Sequence, residues 1–458
     1  MNTLKIIIVG CGKVGSTLVE RLTQEGHDIS IIDKDPDAVQ TLTGLYDIIG
    51  IVGNGASYSI QMEADIHSAD LLIAVTGSDE LNLLCCTIAK QVGNCATIAR
   101  VRTPDYSREV GYLREKLGLT MIINPELETA NEAARILYLP TALEVNSFAH
   151  GQAEMTKLKI PADNVLDGMK IADLGKSLDK NIVDNIIICA VEREGHVHIP
   201  SGSSQLQAGD VISFVAARSV AKKFLEKIGF KTKRVNNTMI IGGGKAAYYL
   251  AAQLLGRGID VKIIETDRTR CEELNVLLPK AVIINGDGTD EELLREEGLP
   301  YAESFVPLTG IDEENILLTL HARAVSNAKV ITKINRIAFK EAINRLDLGS
   351  VVYPRYITAE AIIAYVRAKS NSRGDNIETL YHIFDSRAEA IEFRVTNASG
   401  VTGVPLMQLS MKKDLIISFI SRGGKILIPS GQDTIEVGDT VMVVTTHTGF
   451  NDISDILA

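Results

Sequence analysis

Between Ile6 and Leu22 the chain passes from an unbroken apolar run to apolar positions at helical spacing. Ile6, Ile7, Ile8 and Val9 make up the run, and β-branched residues in succession suit a strand buried on both faces. Gly10-Cys11-Gly12-Lys13-Val14-Gly15 interrupts it. Val14, Leu18, Val19 and Leu22 then predict an amphipathic helix. After Gly26, Asp28-Ile29-Ser30-Ile31-Ile32 predicts a second strand ending at Asp33. Further apolar runs at 48–52, 71–75, 97–99 and 120–123, with helical stretches between them, predict about six parallel strands in an α/β doubly wound sheet.

The same pattern then recurs. Met239-Ile240-Ile241-Gly242-Gly243-Gly244-Lys245-Ala246-Ala247 repeats the first motif, and Glu265 follows Gly242 at the spacing that separates Asp33 from Gly10. Asn285-Gly286-Asp287-Gly288 echoes Gly53-Asn54-Gly55, and the loop from Thr309 to Asn315 echoes that from Thr76 to Asn82. Register kept across four loops marks a tandem duplication. A different module follows each sheet. Strand-like runs at 154–160, 186–191 and 210–215 have a counterpart at 425–444, and Ile199-Pro200-Ser201-Gly202 returns as Ile428-Pro429-Ser430-Gly431. The expected order is a parallel-sheet domain over 1–123, a connecting helix over 124–142 and a small α+β domain over 143–228. It repeats as 235–352, 353–370 and 371–458. Pro125 and Pro354 open the connecting helices at their first turns. Lys231-Thr232-Lys233-Arg234 reads as a solvated linker, and Arg373-Gly374-Asp375 as a solvated loop.

Gly10, Gly12 and Gly15 match G-x-G-x-x-G. In that pattern the first glycine makes the turn, the second lets a pyrophosphate approach the backbone, and the third lets helix and strand pack closely. Phosphate would sit on the N–H groups of the helix N-terminus. Asp33 stands where a Rossmann unit places the acid that accepts hydrogen bonds from an adenosine ribose; as plain structure it would be a turn residue before Lys34-Asp35-Pro36. Its charge disfavours a 2′-phosphate and does not separate NAD from ATP or ADP. Ligands in open α/β sheets bind outside the strands' carboxyl ends, so Gly53-Asn54-Gly55, Thr76 to Asn82, and Arg100-Val101-Arg102 are the candidate loops.

The 458 residues suffice for roughly three or four domains. A net charge of -11 argues against a nucleic-acid partner, which would leave a basic footprint. No apolar run reaches the length of a membrane span, and the first is too short for a secretory signal. The expectation is a cytoplasmic protein that meets a membrane only through a protein partner. Cys11, Cys85, Cys86, Cys95, Cys189 and Cys271 lack zinc or disulfide spacing and read as reduced thiols packed as small apolar residues.

A glycine-turn sheet with a terminal acid and a Thr-Gly-x-Asp-Glu loop, followed by a small lobe with Ile-Pro-x-Gly and Gly-Asp turns, resembles the regulator-of-potassium-conductance (RCK) module. Two such modules in one chain resemble the regulatory proteins of Trk potassium uptake. The resemblance covers essentially the whole chain. It implies a cytoplasmic, peripheral, non-enzymatic regulator that forms a homo-oligomeric ring beneath a potassium-translocating membrane subunit and gates it in response to NAD(H), ATP or ADP. It places a first nucleotide site on Gly10, Cys11, Gly12, Lys13, Val14, Gly15, Asp33, Thr76, Gly77 and Arg100. A second falls on Gly242, Gly244, Ala247, Glu265, Thr309 and Gly310. Ala247 replaces the third glycine. Lys333 stands in place of Arg100 and lacks the planar fork that grips phosphate bidentately.

An NAD-dependent oxidoreductase is the competing class, and a nucleotide-sensing regulator of another ion pathway, or a stand-alone sensor, a further one. An oxidoreductase needs a proton donor beside the nicotinamide, and the small lobes offer few. His196 and His198 alternate with Glu192 and Glu194 as a metal or acid–base cluster would, but the aligned Ser421, Gly423, Lys425 and Leu427 could do neither job. A solvated hairpin face around Gly195 is the expectation. The pairs Asp79-Glu80 and Asp312-Glu313 are expected to cap the helices that follow them.

Overall fold

In the computed structural model, residues 3–230, 232, 234–335, 343, 345–370, 376–384 and 386–458 are described. Lys231 and Lys233 of the basic linker, and the loop Arg373-Gly374-Asp375, lie outside them. The first half runs β1 (Lys5–Val9), α1 (Lys13–Gln24), β2 (Asp28–Asp33), α2 (Pro36–Leu45), β3 (Ile49–Val52), α3 (Tyr58–Glu63), β4 (Leu71–Ala74) and α4 (Asp79–Val92). It continues through β5 (Ala96–Arg100), α5 (Pro104–Arg108), α6 (Val110–Leu117), β6 (Met121–Ile123) and α7 (Pro125–Tyr138). Its small lobe holds β7 (Glu144–Phe148), β8 (Ala153–Lys159), short helices α8 (Leu174–Ser177) and α9 (Lys180–Val183), β9 (Ile186–Arg193), β10 (His196–His198), β11 (Val211–Ala217) and α10 (Arg218–Lys227).

The second half repeats the series with β12 (Asn237–Ile241), α11 (Lys245–Gly256), β13 (Asp260–Glu265), α12 (Arg268–Leu277), β14 (Val282–Asn285), α13 (Glu291–Glu296), β15 (Ser304–Pro307), α14 (Asp312–Val325), β16 (Lys329–Lys333) and β17 (Ser350–Val352). There follow α15 (Pro354–Ser370), β18 (Asn376–Ile383), β19 (Ala388–Arg394), β20 (Leu415–Arg422), β21 (Lys425–Leu427) and β22 (Thr440–Thr445). Both large sheets are parallel and six-stranded, in the orders β3-β2-β1-β4-β5-β6 and β14-β13-β12-β15-β16-β17. Strand order reverses beside β1 and β12, so the crevice for a ligand opens at their carboxyl ends. The small lobes are five-stranded sheets, β10-β9-β11-β8-β7 and β18-β19-β22-β20-β21, which is one order read from opposite ends.

Spatial contacts join each lobe to its copy rather than to its neighbour in sequence. One unit comprises Met1–Ala134 with Val235–Ile363, and the other Arg135–Arg234 with Ala364–Ala458. In the first unit the central strands are buried as their composition requires, with Ile6, Ile7, Ile8 and Val9 all at most 2% exposed. The apolar run ending at Val52 departs from that pattern: β3 is an edge strand with Ile49 and Val52 in solvent and only Ile51 buried. The two halves of this unit meet through polar side chains. Tyr249 Oη donates to the Arg102 carbonyl and accepts from Asn124 Nδ2, each at 3.0 Å, and Gln253 Nε2 donates to Asn131 Oδ1 at 2.8 Å.

The second unit has a shared apolar core. Phe148, Met155 and Val215 of one lobe pack with Phe384, Phe419 and Val444 of the other, and Phe148 meets Tyr381 edge to face at 5.2 Å. Polar contacts fix the register of the two lobes: Glu392 accepts the Ala149 N–H at 2.7 Å, and Arg387 donates to Glu192 and to the Gly195 carbonyl. The β9–β10 hairpin pairs His196 with Arg193 and His198 with Val191. Among the described residues no three His, Cys, Asp or Glu side chains gather as a metal cluster, and no helix is long and apolar enough to cross a membrane.

Phe419 is fully buried where the two small lobes close on each other. Phe419→Ala should therefore cost about 3–5 kcal/mol in denaturant unfolding; a loss under about 1 kcal/mol would contradict a shared core.

Candidate nucleotide site

Each residue of the glycine turn has its own physical reason. Gly10 has φ +106°, a left-handed conformation, and a Cβ there would lie 3.0 Å from the Thr76 backbone nitrogen. At Gly15 a Cβ would collide with the Gly10 carbonyl, so the missing side chain lets α1 approach β1. Gly12 is different: its φ of -67° suits any residue, and a Cβ would meet no protein atom within 4 Å. The space over it is open to the cavity. Gly12 is also the N-cap of α1 and gives no side-chain cap, leaving the helix N-terminus open to an anion.

A cavity of about 490 Å³ opens over this turn. Gly10, Gly12, Lys13, Val14, Asp33, Thr76, Gly77 and Arg100 line it, together with Lys34, Gly53 and Gly55. Cys11 and Gly15 are outside the lining, each held by the turn's own geometry. Asp33 accepts the Cys11 N–H at 2.5 Å with one carboxylate oxygen and the Asp35 N–H at 3.0 Å with the other, which fixes it at the end of β2. Burial, with Asp33 adding to it, pushes the Cys11 thiol up to about 12, so it stays protonated.

The opposite wall is a loop held from behind. Asn82, fully buried, accepts from the Thr76 N–H at 2.8 Å and its hydroxyl at 2.7 Å, and donates to the Arg100 carbonyl at 2.8 Å. Arg100 donates to the Thr76 carbonyl and Arg102 to the Gly77 carbonyl. Two guanidinium groups thus stand behind the loop that faces the cavity. Arg100 Nε and Glu126 Oε2 are both buried with no hydrogen-bond partner among the described residues. Burial lowers the Arg100 pKa and raises that of Glu126.

Asp79 does not cap its own helix. Ser78 does so, accepting the Leu81 N–H at 3.2 Å, while Asp79 reaches across to the loop after β5. It accepts from Arg102 N–H (3.0 Å), Thr103 N–H (2.8 Å) and the Thr103 hydroxyl (2.6 Å). Lys245, the first residue of α11 in the other half, comes within 3.8 Å of it and donates to Thr103 Oγ1 at 3.0 Å. Asp312 likewise takes Asn335 N–H at 2.8 Å rather than capping α14. These ties span over twenty residues, so local spacing carried no sign of them. The asparagine does leave a sign in the sequence, because Asn82 and Asn315 end the two recurring loops.

The second turn repeats the plan with different chemistry. Gly242 has φ +92°, and Gly244 leaves the N-terminus of α11 uncapped. Ala247 is fully buried in the place of the third glycine. Glu265 accepts the Gly243 N–H at 2.6 Å, and Asn315 accepts the Thr309 N–H at 3.0 Å. Gly310 follows Thr309 in an open turn. Lys333 donates to the Leu308 carbonyl at 3.0 Å. Burial pulls its pKa down to about 8; Asp312 and Glu126 oppose the shift and Lys13 adds to it.

Two predictions separate packing from ligand approach. Gly12→Val should abolish nucleotide binding at the first turn while changing stability by no more than about 1 kcal/mol, whereas Gly15→Ala should destabilise the fold by about 1–3 kcal/mol. Thermal unfolding and nucleotide titration of both variants would check this, and a Gly15→Ala protein as stable as the parent would contradict the close approach. Asp79 gives a pH test. Burial alone would raise its pKa, but hydrogen bonds from Thr103 and Arg102 outweigh it and hold the carboxyl below the usual range. Its stabilisation is complete above about pH 4 and is lost as pH falls through the lower folded value. Asp79→Asn should flatten the stability–pH curve there, and an unchanged slope would exclude the contribution.

The chain matches the model of the TrkA-N domain over residues 6–125 and 238–354, and that of the TrkA-C domain over 155–229 and 390–458. It is 32% identical to the Trk system potassium uptake protein TrkA homolog 1 of Methanosarcina mazei, covering 98% of this chain and 99% of that protein. It is also 32% identical to the Trk system potassium uptake protein TrkA of Haemophilus influenzae, over 96% and 95% of the two chains. Among solved structures, the GsuK channel bound to NAD superposes with a TM-score of 0.63 at 17% identity, covering 97% of this chain and 77% of the other. The GsuK RCK domain superposes equally well, over 96% and 92%. Duplicated glycine-turn sheets, paired small lobes and full-length similarity agree, and the chain belongs to the TrkA family of Trk-system potassium uptake proteins.

Proposed function

We propose that the chain is a nucleotide-binding, non-enzymatic regulatory subunit of potassium uptake. The carrying observation is the first cavity. The uncapped terminus of α1, the fixed carboxylate of Asp33 and Arg100, whose Nε is buried without a partner among the described residues, all line it. Such a cleft suits an adenosine ribose at Asp33 and its phosphates on α1. NAD(H), ATP and ADP all present that chemistry, and GsuK structures in complex with NAD and with ADP support the choice.

The regulated partner is a potassium-translocating membrane subunit, at the cytoplasmic face of which the chain sits peripherally as a homo-oligomeric ring. Ring formation is supported by apolar residues left at equivalent positions of two corresponding helices: Leu84 of α4 is 50% exposed, and Leu317 of α14 67%. Nucleotide shifts the ring only by the difference in its affinity for two conformations. A coupling of about 1–3 kcal/mol per site, summed over several copies, is enough to gate a channel.

Calorimetric titration with NADH, NAD, ATP and ADP tests the reading, followed by recovery of the ligand. Saturable binding with the ligand chemically intact is expected, and Asp33→Ala should weaken it at least ten-fold without unfolding the protein. Turnover of NADH with an added metabolite would instead identify an oxidoreductase.

A further inference from the structure

The two glycine turns differ most at the adenosine end. In the second half, Arg270 lies in the first turn of α12 and its Nε donates to the Gly243 carbonyl at 2.7 Å, while its Nη1 binds Glu273 at 2.8 Å. Gly243 is the residue whose N–H is taken by Glu265. The guanidinium is therefore fixed within one residue of the carboxylate that would receive a ribose. It is anchored from the backbone of the turn on one side and from its own helix on the other, and its side chain remains 25% exposed. The aligned position in the first half is Ala38, which offers no cation. Gly243 aligns with Cys11, and a Cβ at 243 would lie 3.0 Å from Glu265 Oε2. Leu274, whose Cδ1 would lie 2.7 Å from that Cβ, and the longer acid together leave room only for glycine.

The phosphate end is altered in the opposite sense. Where the first half has Arg100 and Arg102 behind the loop, the second has Lys333, a single ammonium pointed at the Leu308 carbonyl, and Asn335, which is occupied by Asp312. We propose that the second turn is a separate purine-mononucleotide site, in which Arg270 determines specificity by stacking its guanidinium on the adenine. The first site takes its selectivity from the phosphates, the second from the base. A planar, weakly hydrated guanidinium held by two acceptors meets a purine face at little cost in ordering. Lys333 agrees with this division, because its ammonium is already committed to the Leu308 carbonyl at 3.0 Å and lacks the planar fork that grips a phosphate bidentately.

The inference rests on the nucleotide-binding reading above, and its test separates the two. AMP is titrated into the full chain carrying Asp33→Ala together with Gly12→Val, which leaves the second turn unaltered and closes the first to pyrophosphate. Saturable binding at one site per chain is expected. Adding Arg270→Ala should weaken it about ten-fold, and Arg270→Lys should fall between, with circular dichroism verifying the fold of each. An AMP affinity unchanged or tightened by Arg270→Ala overturns the inference. So does a protein whose only nucleotide site disappears with Asp33→Ala and Gly12→Val, although the reading of the first site then stands. Failure of the unmutated chain to bind any nucleotide overturns both.

Discussion

The first site depends on the closeness of two backbone segments, the glycine turn after β1 and the loop after β4. One Cβ at Gly10 would reach the Thr76 backbone, and one at Gly15 would strike the turn itself. That closeness is maintained by what is missing on one side and by what is buried on the other. Asn82 ties Thr76 to the end of β5, and the arginines hold two carbonyls of the same loop from behind. The wall of the cavity facing α1 is therefore held by the protein's own bonds, which lowers the ordering cost of any ligand that enters there.

Duplication gave each lobe a partner of its own kind within the chain. The polar seam between the large lobes brings Lys245, from the second turn, against Asp79 and Thr103 beside the first. The first helical residue of one glycine turn is thus bonded to the loop that backs the other. The small lobes instead share an apolar core, which resists separation. Among the differences between the copies, Glu265 stands in the place of Asp33, Lys333 in that of Arg100 and Arg270 in that of Ala38.

Much of this was legible in the residues alone. The glycine turn, the acid at the end of the second strand and the doubled order all follow from local patterns, since turn chemistry and strand burial act over a few residues. Local spacing predicts Asp79 as a cap, whereas its partners are Arg102 and Thr103, whose proximity comes from adjacent strands and not from sequence. The exposure of Ile49 and Val52 likewise depends on β3 being the sheet edge, a property of strand order. Cys11 matched the motif yet lies outside the cavity lining, because its backbone rather than its side chain is what Asp33 engages. Arg270 gave no signal of its own; only alignment of the two halves against a structure shows that it faces a glycine turn.

Potassium flux through the membrane partner would show whether nucleotide acts through this chain. The partner, co-purified with this chain, would be reconstituted in vesicles and rubidium uptake followed with and without NADH or ATP. Regulation predicts that nucleotide changes the flux only when the chain is present, and that Asp33→Ala removes or greatly weakens the response to nucleotide read through the first site. Flux that ignores nucleotide, or that responds equally without the chain, would contradict the account.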